Sequence, residues 1–237
     1  MSEAAASSAR RVFILAPFQA LTQLEKITSA LRKLPISAML LTEDWAARSL
    51  SRPVALDPRL TAFEMQAPPL DLAERAAKRG MDIFVSALSL FFLSPFMLAI
   101  AIAVRLEGPG PILFHQWRLG FNGRKFQIVK FRSMTVTEDG ASITQVRRDD
   151  ARVTRVGAFL RARSLDEIPQ LINVLRGDMS LVGPRPHAVA HDNYYDDLIA
   201  DYSMRRHMKP GLTGWAQVSG LRGETPTVAR MATRVDH

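Results

Sequence analysis

From Ile83 to Val104 the chain reads "IFVSALSLFFLSPFMLAIAIAV", 22 residues without a charge. At ~1.5 Å per residue such a helix is roughly 33 Å long, enough to cross the hydrocarbon core of a bilayer. Core helices of water-soluble domains seldom run so far without a charge, so the segment reads as membrane-embedded. Its interior and its flanks argue against a straight span. Pro95, directly after Ser94, removes a backbone hydrogen bond mid-run and bends a helix there. Arg75, Lys78 and Arg79 precede the run, and Arg105, Arg118, Arg124 and Lys125 follow it. Basic residues favour the cytoplasmic side, and here both flanks ask for it. The sequence therefore predicts a re-entrant helix over 79–107, kinked at Ser94-Pro95, with both ends cytoplasmic.

The rest of the chain is basic and unevenly so. Net charge is +8, of which residues 78–237 carry +7, with 18 Arg among their 22 basic residues. Guanidinium groups grip phosphate oxygens bidentately where Lys offers a point charge, so the partner is anionic. A nucleic-acid-binding domain would account for the charge, but not for the apolar run or an aromatic content of 8%. The reading therefore includes no nucleic acid. The absence of cysteine excludes disulfides, zinc–thiolate sites and a thiol nucleophile.

Before the apolar run, "RVFILAP" reads as a buried strand, Leu21, Leu24, Ile27, Leu31 and Leu34 follow helical spacing, and "ISAMLL" is a second strand. This βαβ piece has no glycine before Gly80, so it lacks the loop by which such units bind dinucleotides. "LSRPVALDPRL" and "QAPPLDL" read as proline-bearing connections, the second marking a boundary between domains at 1–72 and 73–237. After the run, "ILFHQWRL" and "KFQIVKFRSM" flank Asn122-Gly123, the strongest short hairpin signal. "TEDGASITQVRRDD" is polar and is expected to be mobile, and "VTRVGAFLRAR" is helical. A short helix ends at Arg176 with Gly177 at its C-cap position. Pro184 and Pro186 keep "SLVGPRPH" out of a helix, "AVAHDNYYDDLIADYSMRRHM" reads as one long polar helix, and "GLTGWAQVSGLRGE" as extended. The fold class is α/β: an α+β catalytic domain with a re-entrant membrane helix hairpin, preceded by the small βαβ piece.

Within "RSLDEIPQL" two carboxylates, Asp166 and Glu167, stand side by side. Ser164 and Glu167 have capping-box spacing, and acids suit the positive end of a helix, so a cap is the plain reading. Chemistry is the other reading, because cations come with the pair: Lys130 and Arg132 in "KFRSM", Arg161 and Arg163, Arg185 between two prolines, and Arg222. A solvated surface is the ordinary fate of any one of these. His187 and His191, four apart, lack a third ligand at metal-site spacing and read as a polar face.

Five blocks carry a resemblance: "KRGMDIFVS", "LSP", "GPGPILFHQWRLGFNGRKFQIVKFRSM", "RVTRVGAFLRARSLDEIPQLINVLRGDMSLVGPRPH" and "MKPGLTGWAQVSGLRGE". In order and spacing they resemble the bacterial sugar transferases, the monotopic polyprenyl-phosphate phosphoglycosyl transferases. "GPRPHAVAHDNYY" and "RGETPT" are most similar to the undecaprenyl-phosphate glucose phosphotransferase branch. The resemblance implies transfer of hexose-1-phosphate, by branch glucose-1-phosphate, from a UDP-sugar to undecaprenyl phosphate, starting exopolysaccharide repeat units. It implies Asp166 as nucleophile and Glu167 as its partner, both with a part in binding Mg²⁺. It also implies phosphate or substrate contacts from Lys130, Arg132, Arg161, Asp178, Arg185 and Arg222. The location it implies is the bacterial inner membrane, contacting membrane lipid, with the catalytic domain facing the cytoplasm; a homo-oligomer is compatible with it. Relatives of this kind continue beyond "RVDH", so a C-terminal truncation is expected, and a catalytically impaired membrane scaffold or regulatory fragment is the alternative.

Overall fold

The computed structural model describes residues 11–15, 21–34, 36–42, 53–57, 60–66, 69–135, 150–199, 201–221, 223 and 227–236. The expected mobile segment 137–150 therefore lies almost wholly outside the described residues, as does Arg222. The chain divides into two compact units: residues 1–71 with Ser203–His207, and Leu72–Tyr202 with Met208–His237.

In the first unit, β1 (Arg11–Leu15) pairs in parallel with β2 (Ser37–Thr42) through helix α1 (Leu21–Leu31). This is the expected βαβ piece, its core formed by Ile14, Leu24, Leu31, Ile36, Ala38 and Leu40. Ile27, assigned to the same apolar stripe by spacing, is 41% exposed. The "LSRPVALDPRL" region is not a connection. It contributes β3 (Pro53–Asp57), which pairs antiparallel with β4 (Leu60–Gln66) in a sheet of order β1-β2-β4-β3. Pro53 is tolerated because it opens a strand at the sheet's edge.

The second unit is organised around α2 (Leu72–Glu107), which begins seven residues earlier than expected and stays helical through Ser94 and Pro95. The carbonyl that Pro95 leaves without its usual donor belongs to Phe91, and the Ser94 hydroxyl donates to it at 2.8 Å. A narrow stripe of α2 is buried, with Asp82, Ser86, Ile100 and Val104 on it. Its other faces expose apolar side chains, among them Phe84 (69%), Phe91 (72%) and Leu106 (82%). Among the described residues it is one helix long and apolar enough to cross a membrane.

Strands β5 (Leu113–Leu119) and β6 (Lys125–Phe131) form the expected antiparallel hairpin. Asn122 and Gly123 take positive φ of 54° and 70°, which is the geometry that Asn-Gly favours. Two short helices follow: α3 (Arg155–Ala162), capped by the Thr154 hydroxyl accepting from Gly157 N–H, and α4 (Gln170–Arg176), closed by Gly177 at φ 92°. Strand β7 (Ser180–Val182) pairs in parallel with β8 (Gly211–Thr213). The expected long polar helix is interrupted: α5 (Val189–Leu198) ends in extended backbone at Ile199, and Asp201 is left-handed at φ 59°. Tyr202 is thereby turned inward, with no exposure, onto Asp192 of α5. Nor is the Gly-rich stretch wholly extended, since Trp215–Val218 forms a helical turn, α6. The described chain closes with α7 (Val228–Asp236).

Two arginines fasten α2. Near its start, Arg79 donates to the carbonyls of Val174 and Leu175 at 2.6 and 2.7 Å, at the C-terminal end of α4. At its end, Arg132 donates to the carbonyls of Val104, Gly108 and Pro109 at 2.9, 2.8 and 2.5 Å. A helix C-terminus leaves carbonyls without donors and carries partial negative charge, so a guanidinium serves both needs. Arg132→Met is expected to lower stability by about 3 kcal/mol in chemical denaturation, as charge-assisted bonds are lost. An Arg132 free in solvent would instead show a loss within about 0.5 kcal/mol.

Candidate active site

Asp166 and Glu167 lie in a single 3-10 turn, Leu165–Glu167, between α3 and α4. The expected capping box is not made. Ser164 is left-handed (φ 59°) with no side-chain cap bond, and Glu167 turns inward instead of back toward Ser164. Both acids are buried, each 7% exposed.

Their surroundings differ. Glu167 Oε1 accepts from Lys130 Nζ at 2.9 Å and from Arg185 Nη2 at 2.6 Å, while its Oε2 accepts from Arg185 Nη1 at 3.1 Å. Burial would push its pKa up, but Lys130 and Arg185 outweigh burial and hold its carboxyl far below the usual carboxylate range. Arg185 loses to burial and gains more from Glu167, so its pKa is raised. Lys130 is pulled down by burial despite the attraction of Glu167. Asp166 goes the other way. Burial raises its pKa and Glu167 adds to that, against the opposing pull of Lys130 and Arg161. Among the described residues its carboxylate makes no ion pair, so the two adjacent acids have opposite environments.

The elements that deliver these groups are built for it. Lys130 comes from β6, which is bound along its length by the fully buried Asn173 of α4: Oδ1 accepts from Val129 N–H at 3.0 Å, and Nδ2 donates to the Gln127 carbonyl at 2.7 Å. This side chain docks the helix after the acid pair onto the strand carrying the lysine. Arg185 comes from the loop between β7 and α5, whose start is fixed by bonds from Gly183 N–H to Thr213 O and from Gly211 N–H to Pro184 O, both 2.9 Å. A Cβ on Gly211 would lie 2.2 Å from Gly183 N, so these strands meet only through glycine.

The structure thus gathers Lys130, Arg161 and Arg185 about the acid pair and leaves two of the expected phosphate ligands elsewhere. Arg132 is committed to the end of α2, because its guanidinium faces three carbonyls in place of solvent. Asp178 accepts from Asn173 Nδ2 at 3.3 Å, its backbone N–H turned onto the same residue's carbonyl in the Gly177 turn. Sequence reasoning counted Arg118 only as a basic flank of the apolar run; its charge also acts on Lys130, adding the least to a pKa that burial first, and Arg185 next, pull down. Period-2 spacing carried the signal: antiparallel pairing sets Phe114 opposite Lys130, and Gln116 and Arg118 follow on that same face. His187 is also more than part of a polar face, with its Nδ1 2.7 Å from the Tyr202 hydroxyl. Among the described residues no group of three or more His, Cys, Asp or Glu could hold a metal. Mg²⁺ is commonly held through only one or two carboxylates, and Asp166 is the acid of the pair that lies outside the ion pairs.

Residues 73–237 match the sequence model of a family described as bacterial sugar transferase. The chain belongs to that family. It is 52% identical over 168 residues to the UDP-glucose:undecaprenyl-phosphate glucose-1-phosphate transferase of Escherichia coli K12, covering 71% of this chain and 36% of that protein. A protein of the same name from Caulobacter vibrioides is 51% identical over 185 residues, 77% of this chain and 69% of its own length. The UDP-N-acetylgalactosamine-undecaprenyl-phosphate N-acetylgalactosaminephosphotransferase of Aeromonas hydrophila is 45% identical over 141 residues, 60% and 33% of the two chains. This bacterial sugar transferase therefore spans about a third of its E. coli relative and about two thirds of the Caulobacter one.

Truncating Glu167 to Ala leaves Lys130 and Arg185 facing each other, and unfolding free energy should fall by about 3–5 kcal/mol. The pH dependence has a definite sign. The depressed pKa gives stability that is fully present above the ordinary Glu value of 4.5 and is lost as pH falls below it. Thermal melts should show wild type losing more stability than Glu167→Gln between pH 5 and about pH 3.

Proposed function

We propose that this protein transfers hexose-1-phosphate, with glucose as the sugar, from a UDP-sugar to undecaprenyl phosphate at the inner membrane, with Asp166 as nucleophile. The observation carrying this reading is the contrast within the acid pair. Glu167 is neutralised and oriented by two cations, while Asp166 is buried beside Lys130 and Arg161 with its carboxylate in no ion pair. A nucleophile needs uncommitted oxygens and a positive surround for an anionic electrophile. The names of the E. coli and Caulobacter relatives supply glucose and the lipid acceptor.

An Asp166 oxygen attacks the β-phosphorus of the UDP-sugar. The bond from that phosphorus to the bridging oxygen breaks, and UMP leaves with the electron pair. The sugar-phosphoryl group remains on the aspartate. A phosphate oxygen of undecaprenyl phosphate then attacks the same phosphorus and releases the Asp166 carboxylate, giving the sugar–diphosphate lipid. Lys130, Arg161 and Arg185 balance the charge of the phosphates and the acids around the reacting atoms. Asp166, with Glu167 beside it, would hold Mg²⁺, which when bound supplies further neutralisation of the diphosphate. The acceptor is a membrane lipid, and the exposed apolar faces of α2 fit insertion in the same bilayer. The basic residues on both flanks favour a re-entrant path with both ends cytoplasmic.

Intact-mass spectrometry with UDP-glucose and Mg²⁺, lipid acceptor withheld, should show a hexose-phosphate adduct on wild type and none on Asp166→Asn. An adduct on the variant would remove Asp166 from the chemistry. A raised pKa in the fold makes the ionised aspartate destabilising above its ordinary value of 3.8, so Asp166→Asn should melt higher than wild type at neutral pH. Adduct formation should likewise fall on acidification at a pH above 3.8, because attack requires the carboxylate. For the membrane path, Ala76→Cys and Gly108→Cys should both label from the cytoplasmic face; a Cβ at Gly108 meets nothing within 4 Å. Labelling from opposite faces would establish a straight span.

A further inference from the structure

Two buried side chains, Tyr202 and Asp192, and the partly buried His187 next to the Arg185 loop take no part in the chemistry above. Tyr202, with no exposure, donates its hydroxyl proton to Asp192 Oδ1 at 2.7 Å. His187 Nδ1 lies 2.7 Å from the same hydroxyl oxygen. Since the tyrosine proton goes to Asp192, Nδ1 of His187 is the protonated nitrogen and donates to the tyrosine oxygen. Asp192 is 3% exposed, and its own N–H donates to Ala188 O at 2.9 Å. The chain His187–Tyr202–Asp192 thus joins the loop's exit, the first turn of α5 and the return of the chain after Asp201.

Its place in the sequence gives it leverage on the site. His187 follows Arg185 with only Pro186 between them, and Pro184 stands on the other side. Two fixed φ angles make Pro184-Arg185-Pro186 a stiff segment. The segment is held at its start by Gly183 and Pro184 against Thr213 and Gly211, and at its end by His187 and by the bridge of Ala188 to Arg118. Between those anchors Arg185 reaches Glu167 through two bonds, and its charge is felt by Asp166 as well as Glu167.

We propose that Asp192, Tyr202 and His187 are positioning residues for Arg185, setting through it the orientation of Glu167 and the charge balance at Asp166. A network worth its burial in hydrogen bonds alone would stabilise the fold but leave the reaction untouched. One that positions Arg185 affects turnover through that residue. This inference rests on the transfer reading of Asp166, and the test separates the two.

With the full chain in detergent, UDP-glucose and Mg²⁺, Tyr202→Phe should slow adduct formation about tenfold with KM unchanged. Asp192→Ala should do the same, while Asp192→Asn, which still accepts the tyrosine proton, should stay within about twofold of wild type. In an Arg185→Ala background Tyr202→Phe should have no further effect, because coupled residues are not additive. A wild-type rate for Tyr202→Phe, or a Tyr202→Phe effect that persists without Arg185, would overturn the proposal. If wild type itself forms no adduct, the transfer reading fails and hydrogen exchange decides the positioning. Amides of Gly183, Arg185, His187 and Ala188 should then exchange faster in Tyr202→Phe but not in Asp192→Asn, with strand 125–131 as the unchanged control. Equal exchange at those four amides in all three proteins would overturn it.

Discussion

The carboxylate of Glu167 is where the second unit is tied together. Lys130 reaches it from 37 residues upstream and Arg185 from 18 residues downstream, so a strand, a 3-10 turn and a proline-stiffened loop converge on two oxygen atoms. Buried ion pairs are poor evidence of stability in themselves, since desolvation offsets much of the attraction. Their effect is on orientation: three groups that must satisfy each other have few arrangements. Around Glu167 that arrangement leaves the neighbouring acid, Asp166, buried and outside the ion pairs. A residue one position away is thereby given a different protonation preference and a different set of possible roles.

Support for this arrangement comes from groups that satisfy backbone atoms. Asn173 pairs with β6 as a neighbouring strand would, and Arg79 and Arg132 answer carbonyls at two helix ends. The apolar packing is divided accordingly. Ile100, Val104, Phe131 and Leu160 form one cluster near the end of α2, while Phe126, Ile128, Val174 and Met179 form another beneath α4. The acid pair sits at the turn connecting the two.

Local signals were legible. Asn122-Gly123 specified the hairpin, Gly177 the end of α4, and the charge-free run the long helix, because each depends on backbone preference or composition over a short window. What could not be read depended on partners far away in sequence. Ser164 and Glu167 have the spacing of a cap, but two distant cations compete for the glutamate and win. Arg132 sits two residues from Lys130, on the same strand end, so its basic character gave no hint that carbonyls would claim it. One proline misled: Pro53, read as part of a connection, opens an edge strand, whereas Pro95 lies within the long helix as expected, with a serine donating to the carbonyl it leaves exposed. The break between α5 and Tyr202 had no sequence marker beyond a left-handed aspartate.

The two arginine clamps on α2 have a mechanical meaning. One fastens the helix near its start to the end of α4, and the other holds its final carbonyls from the residue that follows β6. A helix held near both ends by the body that carries the acid pair moves with that body. In a bilayer, depth of insertion and height of the acid-bearing turn above the lipid headgroups would become one coordinate. Thickness of the membrane, not flexibility of a linker, would then decide how far Asp166 stands from the lipid.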